Sequence, residues 1–321
     1  MPNDSDWMAA AAHLGLRGRP LSSPNPSVGA VIIRNNIVVG RGWTQPGGRP
    51  HGEAMALYQA GDDARGATLY TTLEPCAHPS QRGPTCSHLI AEAGIARVVF
   101  ACLDPDARTA GNGVEILRSA GVIVDQISHA VAATGLAGYL TKQRLGRPHV
   151  TLKLALSLDG FIAMPSGESQ WITGEIARAH VHSRRAMADA ILVGGGTWRS
   201  DRPRLDVRLP GLESRSPKRV VLTRGVPIDG VTIINTPAQI ADLADVQYLY
   251  VEGGSQTAAS FLREDLVDRI ELYRAPIILG EGMAALGDIG LSALGDAHNQ
   301  WALEQRLQLG SDTFEAYGRQ R

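Results

Sequence analysis

The reading of this chain turns on His51-Gly52-Glu53, answered by Pro75-Cys76 and then by Cys86. One histidine and two cysteines supply three ligands for a tetrahedral zinc, with the fourth position left to water. Glu53 stands two residues after the histidine, too close to be a fourth ligand from the same helical face but placed to reach that water. Zinc lowers the pKa of bound water from about 15.7 to about 7. A carboxylate outside the ligand set can then carry the proton that the water loses and a leaving amine needs. His51, Cys76 and Cys86 are therefore read as metal ligands and Glu53 as the catalytic acid and base. Helix starts are expected at Pro75-Cys76 and at Cys86, where helix dipole and metal both favour thiolate.

An H-x-E followed by P-C and a further cysteine is the pattern of zinc deaminases that act on nucleobases. A lone H-x-E would be read as a surface histidine; the two cysteines beyond it outweigh that. The familiar spacing is P-C-x-x-C, whereas nine residues separate Cys76 from Cys86 here. Pro79, Gly83 and Pro84 make that stretch a loop. His78 within it is a rival ligand, ranked below Cys86 and assigned to the substrate instead.

At 321 residues the chain is long enough for two domains. Its net charge of −1 offers no global basic field of the kind that holds nucleic acid. Of three cysteines two go to metal, and Cys102 stands alone in the apolar run Val98-Val99-Phe100-Ala101-Cys102-Leu103, usage that suits a reducing cytoplasm. The start of the chain carries Asp4 and Asp6 and no signal-peptide pattern, and no apolar run is long enough for a membrane span.

Helices are expected over 7–17, from His51 through Ala60, from Cys86, over 114–120 and over 130–145. Strands are expected at 30–33 and 37–40 as a hairpin, then at 67–72, 96–101 and 122–124. This alternation predicts a layered α/β domain over 1–146 with a largely parallel later half. A switch near Gly146-Arg147-Pro148 opens a second α/β domain over 147–321. Its strands are expected at 150–155, 190–193, 219–222, 231–234, 248–251 and 269–275, and its helices at 175–187 and 257–264.

The second half repeats strand and helix without a His/Cys cluster. Gly194-Gly195-Gly196-Thr197 and Glu252-Gly253-Gly254-Ser255 each follow an expected strand. Glycine lets backbone N–H groups approach a phosphate, but neither cluster matches G-x-G-x-x-G. From Arg199 to Arg224 the chain is locally basic, either a solvated loop or a phosphate site.

With these residues in view the whole chain resembles the bifunctional riboflavin-biosynthesis deaminase/reductase family. The resemblance rests on Pro24-Asn25-Pro26-Ser27-Val28-Gly29, His51-Gly52-Glu53, Thr72-Leu73-Glu74-Pro75-Cys76, Cys86 and Asp104-Pro105. In the second half it rests on Ser157-Leu158-Asp159-Gly160, Gly167-Glu168-Ser169-Gln170-Trp171-Ile172-Thr173, Asp201-Arg202-Pro203 and Glu252-Gly253-Gly254. It implies a cytidine-deaminase-like domain followed by a dihydrofolate-reductase-like domain. The first would use Zn2+ to deaminate 2,5-diamino-6-ribosylamino-4(3H)-pyrimidinone 5′-phosphate. The second would reduce the ribosyl chain to ribityl with NADPH. A homo-oligomer acting on a small phosphorylated pyrimidine, with neither nucleic acid nor membrane as partner, is implied too.

Carried over by motif, Ala155, Trp171, Thr197, Asp201 and the turn Gly254, Ser255, Gln256, Thr257, Ala258, Ala259 and Ser260 should contact NADPH. Ser169, Arg185, Leu205, Arg208, Glu252 and Lys153 should line the reductase substrate, and Asn25 and His78 the deaminase substrate. Three departures stand out. Cys76-Ala77-His78 replaces the usual Cys-Ser-His in a longer loop. Gly52 replaces the usual Ala, a change expected to act on helix stability rather than chemistry. Leu222-Thr223-Arg224 lacks the common Asp-Ser. A zinc nucleobase deaminase with a non-catalytic, phosphoribosyl-binding second half is the alternative; NADPH turnover separates the two.

Overall fold

The computed structural model describes residues 2–78, 83–225 and 228–321. The chain forms two compact units, Met1–Gly146 and Arg147–Arg321.

The first unit runs α1 (Asp4–Gly15), β1 (Gly29–Arg34), β2 (Ile37–Trp43), α2 (Gly52–Ala60), β3 (Thr68–Leu73), α3 (Cys86–Glu92), β4 (Arg97–Cys102), α4 (Asn112–Ser119), β5 (Ile123–Gln126) and α5 (Ala130–Leu145). Its sheet has the order β2-β1-β3-β4-β5, antiparallel through β2, β1 and β3 and parallel from β3 to β5. Alternation along the strands divides the core. Ala30, Ile32, Leu69, Val98 and Phe100 face α2 and α3, together with Cys76 and Cys86. Val31, Ile33, Tyr70, Val99 and Ala101 face Met8 and Ala11 of α1 and Ala132 of α5. Both faces of these strands are therefore covered, as a parallel sheet requires.

The second unit runs β6 (His149–Leu156), β7 (Phe161–Ala163), α6 (Glu175–Arg185), β8 (Ala190–Gly194), α7 (Gly195–Asp201), β9 (Lys218–Leu222), β10 (Thr232–Ile234), β11 (Tyr248–Val251), α8 (Ser255–Arg263), β12 (Arg269–Arg274), β13 (Met283–Ala284), β14 (Trp301–Leu309) and β15 (Asp312–Arg319). Eight strands join in the order β10-β9-β8-β11-β6-β12-β15-β14. The first six are parallel and the last two add antiparallel. Val150, Leu152 and Leu154 of β6 pack on one side with Ala258 and Phe261 of α8. On the other side Ile191, Tyr250 and Tyr273 pack with Ala177 and Val181 of α6. Among the described residues no helix is long and apolar enough to cross a membrane.

One expectation is corrected. No helix begins at Pro75-Cys76; residues 74–78 continue β3 as irregular chain. The short α7, not among the expected helices, starts at the buried Gly195.

A buried ion pair ties the start of the second unit to β12. Arg147 donates to both oxygens of Asp268 at 2.7 and 3.0 Å, and Asp268 also accepts the Val150 N–H at 2.8 Å. Burial works against the Asp268 carboxylate, but Arg147 and its other partners outweigh it and hold it below the usual carboxylate range. A carboxylate lowered on folding adds stability above its unfolded pKa of about 3.9 and loses it as pH falls through that range. Asp268→Asn leaves Arg147 buried and unpaired. It should cost about 3–5 kcal/mol at neutral pH in urea unfolding of the second unit and flatten the acid limb of its stability curve.

Candidate functional site

In the first unit the site is built where β3 ends and two helices begin. His51 is the N-cap of α2 and carries no capping side-chain bond, which frees its ring. Cys86 opens α3, whose N-cap Thr85 accepts from the His88 N–H. Cys76 stands three residues past β3. Its sulfur accepts the Cys86 backbone N–H at 3.3 Å. His51 Nδ1 lies 3.6 Å from the Cys76 sulfur and 3.4 Å from that of Cys86. One donor atom from each of the three lies within 4.8 Å of the others. A soft set of two sulfurs and one imidazole nitrogen around one point suits tetrahedral zinc. His78 is not part of this cluster; its Nδ1 faces the Thr109 hydroxyl at 3.1 Å.

Glu53, in the first turn of α2, is 2% exposed, and one of its carboxylate oxygens has no hydrogen-bond partner. An orphaned buried carboxylate aimed beside a metal-ligand set is an observation in favour of a cation and its water there. Burial raises the Glu53 pKa, with His51 opposing. Cys76 is held down, to about 4, first by the hydrogen bond from the Cys86 thiol and then by His51. Cys86 is pushed up by that same bond and by burial. The asymmetry is what two sulfurs sharing one proton produce, and a metal removes the need for that proton.

Asn25 donates from Nδ2 to the Gly48 carbonyl at 3.0 Å, and the same nitrogen lies 3.5 Å from His51 Nε2. The stretch between the prolines therefore reaches the far side of the metal-facing ring. Gly52 has a packing role that helix propensity does not reveal. A Cβ there would lie 2.6 Å from the Val28 carbonyl oxygen, so the start of α2 sits directly on the backbone of the 24–29 stretch.

In the second unit the glycine clusters meet at the C-terminal ends of the neighbouring parallel strands β8 and β11. A Cβ on Gly194 would lie 2.2 Å from Thr257 Oγ1, and one on Gly253 2.5 Å from the Thr257 side chain. One on Gly254 would be 3.6 Å from Thr197 Oγ1. Gly254 is the N-cap of α8 without a side-chain cap, leaving the first N–H groups open to an anion. Thr197, Thr257 and Gly254 are thus brought together. Ala258 and Ala259 turn into the core, Asp201 is exposed at the end of α7, and Trp171 is exposed with Arg178 over its ring at 4.7 Å. Ala155 lies half-buried on β6, and Ser169 is exposed.

Arg185 forms a bidentate pair with Glu252, at 2.6 and 2.8 Å, and Lys153 Nζ lies 3.9 Å from the same carboxylate. Burial pushes Lys153 down; it also works against Glu252, but Arg185 and Lys153 outweigh it and hold Glu252 low. Arg185 further donates to the Asp206 carbonyl at 3.0 Å, and His182 accepts the Arg208 N–H at 3.3 Å. These contacts hold a turn in which Leu205 adopts φ +54°. Beside Arg208 opens a cavity of about 480 Å³ lined also by Arg204, Asp206, Glu213 and Ser216. His182 and Asp206 were not legible as site members, because only the packing of α6 against this turn joins them.

Comparison with known proteins agrees with this arrangement. The family model for the cytidine and deoxycytidylate deaminase zinc-binding region matches residues 1–102, and that for the RibD C-terminal domain matches residues 148–314. The riboflavin biosynthesis protein RibD of Aquifex aeolicus is 37% identical over 91% of this chain and 92% of its own. That of Escherichia coli K12 is 35% identical over 96% and 97%. The chain belongs to the RibD family. The crystal structure of a diaminohydroxyphosphoribosylaminopyrimidine deaminase/5-amino-6-(5-phosphoribosylamino)uracil reductase from Thermotoga maritima superposes with a TM-score of 0.86 at 29% identity, covering 99% of each chain. RibD of Acinetobacter baumannii does so with 0.84 at 34% identity and the same coverage. Like other RibD proteins, this one is a bifunctional enzyme of riboflavin biosynthesis: a zinc-dependent deaminase and an NADPH-dependent reductase acting on small phosphorylated pyrimidines.

The donor geometry makes a direct prediction. Cys86→Ser should lose most of its zinc on purification, read by elemental analysis, while His78→Ala should retain it. Undiminished zinc in Cys86→Ser would move the third ligand to His78.

Proposed function

We propose that the first unit deaminates 2,5-diamino-6-ribosylamino-4(3H)-pyrimidinone 5′-phosphate at the cluster of His51, Cys76, Cys86 and Glu53. The second unit then reduces the ribosyl chain of the product to ribityl. The observation that carries the reading is the buried, unpartnered Glu53 oxygen beside three converging metal donors. His51 Nδ1 and the two sulfurs would hold zinc, which when bound lowers the pKa of a water in its open position. Glu53 takes the proton that the water gives up and returns it to the departing amine. Burial raises its pKa above the ordinary carboxylate value, a shift in the direction that favours accepting a proton. Asn25 steadies the His51 ring, and His78 reaches toward the substrate.

For the reductase half, the uncapped start of α8 at Gly254, with Thr197 beside it, supports a phosphate-bearing cofactor. NADPH supplies the hydride when bound, and the chain's task is to hold it at contact distance from the sugar carbon. Ala155, Trp171, Thr197, Asp201 and residues 254–260 would contact the cofactor. Lys153, Arg185 and Glu252 form a pre-paired charged floor for the substrate, with the Leu205–Asp206 turn held on it by Arg185, and Ser169 would join it from the exposed loop before α6. Arg208, half-exposed at the cavity mouth, would take the substrate phosphate. The edge strand β14 carries exposed Leu303 and Leu307, which supports self-association, testable by light scattering. Three unbridged cysteines fit a cytoplasmic setting.

Two substitutions test the division of labour. Glu53→Ala should keep zinc and reductase activity but lower the deaminase kcat by about 10²–10⁴-fold, and wild-type turnover would refute the proton role. Arg208→Ala should raise the reductase KM about tenfold or more while sparing deamination. An unchanged KM would place the phosphate elsewhere.

A further inference from the structure

Glu74 ends in no role described so far, yet it is a carboxylate only 2% exposed, two residues before Cys76. Its partners are four backbone N–H groups of one distant segment. Oε2 accepts from Asp104 at 3.4 Å and Gly111 at 3.1 Å; Oε1 accepts from Gly113 at 3.1 Å and Val114 at 3.4 Å. Gly111 is the N-cap of α4 and has no side chain with which to cap it. Glu74 therefore supplies from the end of β3 the acceptors that a helix start ordinarily finds locally, and its charge meets the positive end of that helix.

The grip continues on both sides. A Cβ on Gly113 would lie 2.1 Å from the Pro75 carbonyl oxygen, so the start of α4 lies against the residue between Glu74 and Cys76. His78 Nδ1 meets the Thr109 hydroxyl at 3.1 Å, and Tyr139 donates to Asp104 at 2.7 Å. Residues 74–78 thus carry a metal donor and hold the 104–114 segment at three points in the same short run. Between β4 and α4 the segment holds local turns of its own, such as Ala110 N–H to the Asp106 carbonyl at 2.9 Å, and the contacts with residues 74–78 fix where those turns lie.

We infer that Glu74 is a positioning residue of the deaminase: by holding the backbone of residues 104–114 against residues 74–78 it sets the wall of the substrate site beside the metal. The inference rests on the assignment of that site to His51, Cys76 and Cys86. Glu74 touches neither metal donors nor reacting atoms. Its loss is expected on substrate affinity rather than on the chemical step, because Glu53 and His51 stand on the start of α2 and Cys76 keeps its own bond from the Cys86 N–H.

The test uses the full-length, zinc-loaded protein and Glu74→Gln, in which the amide nitrogen replaces one acceptor oxygen with a donor. Zinc per chain, deaminase kcat and KM, and hydrogen exchange over 104–114 are measured together. Reductase turnover of the deaminated intermediate is the internal control for folding. The expected result is wild-type zinc and reductase turnover, faster exchange over 104–114, a KM raised about tenfold, and kcat within about threefold of wild type. Glu74→Asp, which keeps the charge, should recover part of the affinity, and it carries the test alone if Glu74→Gln does not fold. Faster exchange with an unchanged KM overturns the inference, as does zinc loss accompanied by a fall in kcat. A wild-type protein that holds no zinc or does not deaminate overturns the site assignment itself, and this inference with it.

Discussion

A carboxylate with almost no exposed surface and an unpartnered oxygen is a standing cost to a folded chain, and Glu53 is such a group. What makes it tolerable is the cluster beside it: an imidazole and two sulfurs whose donors converge on one point. A cation there would offset the buried charge of carboxylate and thiolates alike. The first unit is arranged to bring this about. Neighbouring secondary structures, the starts of α2 and α3 and the end of β3, each deliver one donor, and the sheet's apolar face with Cys76 and Cys86 in it closes the site from below.

The second unit handles buried charge differently. Its carboxylates are already paired: Glu252 with Arg185 and Lys153, and Glu271 with Arg184 at 2.7 Å, Arg269 at 3.3 Å and the Tyr250 hydroxyl at 2.9 Å. Consecutive arginines at the end of α6 thus reach two separate carboxylates on the sheet. A paired network of this kind resists rearrangement, which suits a reaction whose demand is positioning. Hydrolytic deamination instead needs a group free to gain and lose a proton, and there the carboxylate is left with one oxygen unpaired.

Much of this was legible from residue types and spacing. Continuous apolar runs mark the parallel strands, because a strand covered on both faces shows no polar side. The helix at 130–145 and the strand at 248–251 were read at their observed limits. The β14–β15 hairpin escaped: β14 is exposed along most of its length, so apolar periodicity is weak, and the partner of β15 on β12 lies far back in sequence. Proline's preference for a first turn points to a helix at Pro75-Cys76, but the chain there is committed to contacts made by its neighbour Glu74 and by the Cys86 N–H.

Residue types alone decided the metal chemistry: an imidazole, two thiols and a nearby carboxylate are a zinc site wherever folding can join them. Tertiary structure decided which groups meet. It separated His78 from the donor cluster and paired it with Thr109, made Gly52 a contact point on the Val28 carbonyl, and set Glu74 to cap a helix forty residues away. Local propensity carries no record of such contacts, because each joins backbone or side-chain atoms that only the packed sheet and helices bring within hydrogen-bond reach.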